Sequence, residues 1–175
     1  YFMSWLQKQI AQNPHNLYIE LGIKKWSYLE IDVMVQTYAQ ALLGENIKPK
    51  DRVLIYLPSE IKLVEIILAC FEIGAIATPI STKLTKSERD VVIEKIQPNL
   101  IITNQEYQSA LSPYSFPLLN IVDCSGSSSG LKNQYEKNPD DVCAILLTSG
   151  TTGIPKAVRL TYRNFEFSCS NWDGF

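Results

Sequence analysis

Nine consecutive residues, Thr148-Ser149-Gly150-Thr151-Thr152-Gly153-Ile154-Pro155-Lys156, bring together hydroxyls, glycines and one cation. Backbone N–H groups in such a loop can converge on an anion. Gly150 and Gly153 let the main chain approach it without a side chain in the way. The hydroxyls of Thr148, Ser149, Thr151 and Thr152 can donate to phosphate oxygens, and Lys156 adds a full positive charge. The chemistry this set suits is the holding of a polyphosphate. It is not the Walker A arrangement, which needs four residues between its glycines and a Gly-Lys-Ser/Thr ending. Here two residues separate Gly150 from Gly153, and Pro155 precedes Lys156.

Other reactive side chains are poorly placed for chemistry. His15 is the only histidine and follows Asn13-Pro14, which reads as an exposed turn and not as a general base. Cys70, Cys124, Cys143 and Cys169 lack the short spacing of zinc sites, so all four are expected as free, reduced thiols. Glu88-Arg89-Asp90 and Asp140-Asp141 read as solvated charge clusters, not metal ligands. Trp5 and Trp26 read as packing residues. No residue of this chain is assigned to catalysis or to a metal.

The elements that must position the loop follow from pattern. Val142–Leu147 is a continuous apolar run, the signature of a buried central strand, and it opens directly into Thr148. Upstream, Ser4 caps a first helix carrying Trp5, Leu6 and Ile10, which Asn13-Pro14 stops. Residues 17–21 and 24–28 flank Gly22 as paired strands. A helix over 29–43 places Ile31, Val35, Tyr38, Ala39 and Leu42 on one face, and Gly44 is expected at its left-handed end. Strands are expected at 53–57, 75–80, 100–103 and 118–122, with a helix ending near Gly74 and another begun by the Thr85-x-x-Glu88 capping box. Short apolar strands alternating with amphipathic helices predict an α/β fold: a mostly parallel sheet with helices on both faces. The chain is expected to divide into a sheet subdomain over 1–122, a polar flexible linker over 123–141 containing Ser125–Gly130, and a unit over 142–175 holding strand, loop and the following strand or helix.

Composition narrows the partners. The 175 residues are 46% hydrophobic and 19% charged, as in a globular protein with a buried core. A net charge of -2 and a pI near 5.5 give no basis for binding nucleic acid or an anionic membrane. The apolar stretch from Ile61 to Ile80 is interrupted by Lys62, Glu65, Glu72 and Pro79, so it is read as helix plus strand and not as a membrane span. With no signal-peptide pattern at the N-terminus, a cytoplasmic protein is expected.

The Thr148–Lys156 segment closely resembles the phosphate loop of the AMP-forming acyl-CoA synthetase, adenylation-domain and luciferase superfamily. In that pattern two small or hydroxyl residues precede a glycine, followed by two hydroxyl residues, a glycine, a variable position, proline and lysine. Trp26-Ser27-Tyr28-Leu29-Glu30, Lys48-Pro49-Lys50-Asp51-Arg52-Val53 and Gly74–Ile80 with Leu84-Thr85 and Glu88 are similar to further family segments, in family order. Ala157 departs from the common glycine. Thr161-Tyr162-Arg163-Asn164 departs from the common Thr-His-x-Asn, so no role of that histidine carries over. The aromatic Tyr162, with Asn164, Ser168 and Ser81-Thr82-Lys83-Leu84, looks more like the o-succinylbenzoate–CoA ligases of menaquinone and phylloquinone synthesis.

The resemblance implies a two-step reaction. A carboxylate attacks the α-phosphorus of ATP, giving an acyl-adenylate and pyrophosphate, and a thiol, usually of coenzyme A, then takes the acyl group. Thr148, Ser149, Gly150, Thr151, Thr152, Gly153 and Lys156 would hold the ATP phosphates with Mg²⁺ sharing the charge. The acyl pocket, adenine and ribose contacts and catalytic lysine would lie beyond Phe175, so the 175 residues alone are expected to be inactive. Alternatives are a fatty acyl-CoA synthetase, a peptide-synthetase adenylation domain or, in another class, a non-catalytic nucleotide-binding α/β module.

Overall fold

A computed structural model describes residues 7, 9–124, 135–148 and 156–170, with the side chains of 169 and 170 outside the description. The helix start at Ser4-Trp5-Leu6, the linker core 125–134, loop residues 149–155 and the Cys169 side chain therefore lie outside the described residues. A helical segment over 9–12 (α1) ends before Asn13, whose N–H donates to the Gln9 carbonyl at 2.7 Å. The expected hairpin follows as β1 (Leu17–Leu21) and β2 (Lys24–Ser27), antiparallel, with Gly22 at φ 63° in the turn.

Ser27 ends β2 and caps α2 (Tyr28–Gly44). Its hydroxyl accepts from Glu30 N–H at 3.3 Å, while the Glu30 carboxylate accepts from Ser27 N–H at 2.8 Å. This reciprocal box satisfies two of the amide groups that every helix start leaves open. The helix runs through Gly44, and Asn46, two residues later, takes the left-handed conformation at φ 61°. Gly44 was expected there. Asparagine tolerates that region well, and Ile47 N–H closes the end by donating to the Leu42 carbonyl at 3.1 Å.

The main sheet is built from β3 (Arg52–Tyr56), β4 (Ile76–Pro79), β5 (Leu100–Thr103), β6 (Leu118–Asn120), β7 (Val142–Thr148) and β8 (Lys156–Thr161), in the spatial order β6-β5-β3-β4-β7-β8. All neighbours are parallel except β7 and β8. Crossover helices α3 (Ile61–Ile73) and α4 (Lys86–Ile96) then pack on opposite faces, as the expected architecture requires. Val53, Ile55, Ala77, Leu100 and Ile102 meet α2 and α3 on one face, while Leu54, Tyr56, Ile101 and Ile145 meet α4 on the other. The connection from β5 to β6, including a single helical turn α5 (Gln105–Gln108), lies on the α4 side through Leu111, Tyr107 and Tyr114.

Helix α3 ends as its sequence predicts. Gly74 adopts φ 78°, and Ala75 N–H donates to the Cys70 carbonyl at 2.9 Å. A Cβ on Gly74 would clash with the Tyr135 ring, so position 74 serves both helix ending and close packing. The Thr85–Glu88 capping box is present in full and starts α4.

Three expectations from pattern change in the fold. Arg89 is not solvated: it is 8% exposed, its guanidinium lies 5.6 Å above the Tyr56 ring, and Nη1 donates to the Tyr56 hydroxyl at 3.3 Å. The long aliphatic stem makes such burial possible. Val142–Leu147 is not buried throughout: β7 is the fifth of the six described strands, and only Cys143–Ile145 are buried while Leu146 is exposed. Finally, residues 135–141 of the expected linker make specific contacts. Lys137 pairs with Glu72 of α3 at 3.4 Å, both side chains about nine-tenths buried, and burial lowers the Lys137 amine's pKa against the opposing pull of Glu72.

Candidate functional site

Strands β7 and β8 form an antiparallel hairpin whose last pair is Thr148↔Lys156. The first and last members of the nine-residue segment thus sit opposite each other and close the mouth of the loop between them. Thr148 Oγ1 lies 3.4 Å from the Lys156 carbonyl, which it faces as a donor. Both residues are exposed, and Lys156 forms no ion pair among the described residues. A cation with its hydroxyl partner, presented to solvent at a loop mouth, suits an incoming anion. Ser149, Gly150, Thr151, Thr152 and Gly153 lie outside the described residues.

The mouth has a definite place in the fold. Because β7 runs parallel to β4, Thr148 emerges at the carboxyl edge of the parallel strands. Ala144 pairs with Ala77, so Thr148 projects about two residues, roughly 7 Å, beyond Pro79 at the end of β4. The chain leaves β3 toward α3 on one face, but leaves β4 and β5 toward α4 and α5 on the other. In open α/β sheets, ligands bind at this edge, where successive connections part to opposite faces. A cleft lined by Leu57, Pro58, Asn104 and Gln105 opens at that parting.

At the opposite end the hairpin is tied down. Tyr162 begins α6 (Tyr162–Ser170) and is 2% exposed, its hydroxyl donating to the Phe71 carbonyl at 3.0 Å and its ring meeting Phe71 edge-on. Tyr162 therefore packs in the core and does not face the loop mouth. Burial pushes its phenol well above the usual range. Thr161 caps the same helix, its hydroxyl accepting from Asn164 N–H at 3.3 Å while the Asn164 side-chain oxygen accepts from Thr161 N–H at 2.8 Å.

The remaining candidates behave as packing or turn residues. His15 is exposed in a turn. Cys70, Cys124 and Cys143 are free, and burial raises all three thiols, Cys124 to about 11 and Cys143 to about 12. A thiol so protonated at neutral pH is a poor nucleophile. Trp26 packs against the core. Among the described residues no group of three or more His, Cys, Asp or Glu could hold a metal ion.

Sequence pattern found the loop but not its closing pair, because an antiparallel β8 after a parallel β7 leaves no mark in periodicity. It also missed Asp141, read as part of a solvated cluster. The Asp141 side chain is 19% exposed, accepts from the Tyr135 hydroxyl at 2.7 Å and pairs with Lys50 at 3.0 Å. The Tyr135 contact leads in holding its carboxyl below the ordinary value.

Residues 6–175 match the family described as AMP-binding enzyme. The chain is 27% identical over 171 residues to a feruloyl-CoA synthase of an Amycolatopsis species, covering 96% of this chain and 35% of that protein. It is 30% identical over 171 residues to a 2-succinylbenzoate–CoA ligase of Oceanobacillus iheyensis, covering 95% of this chain and 35% of that protein. The chain thus spans about a third of the length of these relatives. Among solved structures, O-succinylbenzoate coenzyme A synthetase (MenE) from Bacillus subtilis, in complex with AMP, matches with a TM-score of 0.84 at 22% identity, over 95% of this chain and 44% of that one. With the family pattern running through nearly every described element, this chain belongs to the AMP-binding enzyme family.

Proposed function

We propose that this chain supplies the ATP-phosphate cradle of an AMP-forming carboxylate ligase that activates o-succinylbenzoate and transfers it to coenzyme A. The observation that carries the reading is the hairpin mouth. Thr148 and Lys156 pair at the carboxyl edge of the sheet and close a loop rich in hydroxyls and glycine. The substrate and acceptor are supported by the names of relatives, two of which denote CoA esters or ligases of aromatic acids. The AMP bound in the structure of similar fold supports the nucleotide.

In this reading a carboxylate oxygen bonds to the α-phosphorus as the α–β bridge breaks, and negative charge builds on the leaving pyrophosphate. The Lys156 ammonium offsets that charge, while the Thr148 hydroxyl and the donors of Ser149, Gly150, Thr151, Thr152 and Gly153 orient the phosphates. The acyl-adenylate then passes its acyl group to the coenzyme A thiol and AMP departs. The described residues fit a phosphate group: an exposed cation and hydroxyl at one mouth, with no carboxylate paired to the cation. They supply no metal cage, so Mg²⁺ would enter on the nucleotide's own oxygens and screen their charge.

Replacing Lys156 or Thr152 by alanine in the whole protein should lower carboxylate-dependent ATP–pyrophosphate exchange by about ten- to a thousandfold, the scale of losing one oriented donor. Wild-type exchange rates in both variants would refute the cradle. CoA-thioester formation on o-succinylbenzoate, set against ferulate, fatty acids and amino acids, tests the substrate. The 175 residues alone should give no exchange.

A further inference from the structure

The hairpin that carries the loop is attached to the body unevenly. Ile76 and Ile80 donate their N–H groups to Asp51 and Ile55 on the β3 side, at 2.7 and 3.0 Å. Strand alternation therefore turns the backbone nitrogens of Ala77 and Pro79 toward β7. Ala77 pairs with Ala144, but Pro79 has no N–H to give, and no later β4–β7 pair follows. The outer half of the hairpin, Ile145–Thr148 with Lys156–Arg159, has no ladder pair to β4 and is held by its own cross-strand pairs and by the packing of Ile145, Leu147 and Ala157 on the α4-side core. Its Leu146↔Val158 pair is 37% and 41% exposed. A two-stranded ribbon is marginally ordered in water on its own, so its direction depends on that one-sided packing and on its attached end.

That end carries a dense set of bonds. Asp141 accepts from Tyr135 and pairs with Lys50, whose own N–H donates to the Gly74 carbonyl at 2.8 Å. The Asp141 carbonyl accepts from Tyr162 N–H at 3.2 Å, and the Pro139 carbonyl from Arg163 N–H at 2.8 Å. Arg163 grips Asp140 with two donors, at 2.7 and 3.0 Å. The strand entering the hairpin and the helix leaving it are thus bonded to each other. Through Lys50, Gly74 and Phe71 they are also bonded to the amino-terminal edge of the sheet and the end of α3. The Asp140–Arg163 pair is exposed and worth little alone. Asp141 is the shielded member that joins three elements.

We propose that Asp141 is a positioning residue: it anchors the base of the β7–β8 hairpin and thereby aims Thr148 and Lys156 at the ligand edge of the sheet. Its consequence for ATP rests on the phosphate-cradle reading, but its mechanical part does not. Pro79 releases the outer ribbon from β4, and the Asp141 clamp fixes the angle at which that ribbon leaves the sheet.

The test is residue-resolved amide exchange with ATP titration on the full chain, for wild type, Asp141→Ala and Tyr135→Phe. Asp141→Ala should speed exchange at Ile145–Thr148 and Ala157–Arg159 roughly tenfold relative to β3 and β5, and weaken ATP binding by a similar factor. Tyr135→Phe, which removes one bond and keeps the ring against Gly74, should give a smaller effect of the same pattern and serves if Asp141→Ala does not fold. Unchanged ribbon exchange, or an equal rise across β3, β4 and β5, overturns the proposal. So does a loosened ribbon with wild-type ATP affinity. If wild type itself takes up no ATP, the cradle reading fails while the exchange pattern still decides the clamp.

Discussion

Glu65 shows how a single carboxyl is weighed against its surroundings. It lies on α3, 3% exposed, and burial raises its pKa more than nearby Lys62 lowers it. Tyr38, pushed up to about 12 mainly by burial, carries a further contribution from the Glu65 charge. The folded state therefore holds the Glu65 proton more tightly than the unfolded chain. Its contribution favours folding below the unfolded value, near 4.3, and is lost as pH rises through the folded value. At neutral pH the residue is a net cost. Glu65→Gln should raise stability at pH 7 by about 1 kcal/mol, the scale of desolvating a buried polar group, and change little at pH 4. Urea unfolding at the two values checks both parts; a loss at pH 7 would mean that the charge has a compensating partner. Lys156 is the opposite case, an exposed cation whose value lies in where the hairpin presents it.

At the level of elements, the boundary between α3 and β4 is set by Gly74. An alanine there meets two penalties: a left-handed backbone, costing about 1–2 kcal/mol, and a Cβ placed inside contact distance of Tyr135. Gly74→Ala should lower unfolding free energy by at least that amount, and in a Tyr135→Ala background, which has its own cost from the lost Asp141 bond, the same change should cost only the backbone part. Denaturation of the single and double variants separates the two. This helix end, the Thr85–Glu88 box and the strand at 100–103 were readable because their signals are local: a glycine, a four-residue cap, a short apolar run; the strand expected over 118–122 ends at Asn120, where a 3-10 turn over Ile121–Asp123 takes over. The Ser27–Glu30 box had the same kind of signal and was passed over in favour of a strand reading to 28. Arg89, Lys137 and Asp141 were not readable as buried groups. Each depends on a partner far along the chain, respectively Tyr56, Glu72 and Lys50, and charge in sequence looks the same whether solvated or enclosed.

For the whole molecule, the alternation of strands and helices was enough to indicate a mostly parallel sheet covered on both faces. The antiparallel turn at β8 leaves no mark in that alternation; its one sign is the loop of only seven residues between β7 and β8, too short for a crossover. That turn makes the candidate site a hairpin mouth and not a strand-to-helix nest. Among the described residues no helix is long and apolar enough to cross a membrane. The candidate phosphate loop stands out in sequence because its residue types are concentrated in nine adjacent positions; the contacts at the base of its hairpin do not, because they are spread over residues from Lys50 to Arg163.

Among the described residues β8 is the last strand of the sheet, and for the 175 residues taken alone that position has a colloidal consequence. A margin strand offers a row of open main-chain groups to any second strand, and charged side chains are the usual deterrent. In Lys156-Ala157-Val158-Arg159-Leu160-Thr161 only Lys156 and Arg159 carry charge. In those 175 residues Lys156 would act as a gatekeeper against self-association, in addition to the phosphate contact proposed for it. Lys156→Ala with Arg159→Ala should scatter light at concentrations where either single variant stays clear; equal clarity in all three would show that this margin is guarded by something else. An activity loss in a Lys156 variant is accordingly to be read on the monodisperse fraction.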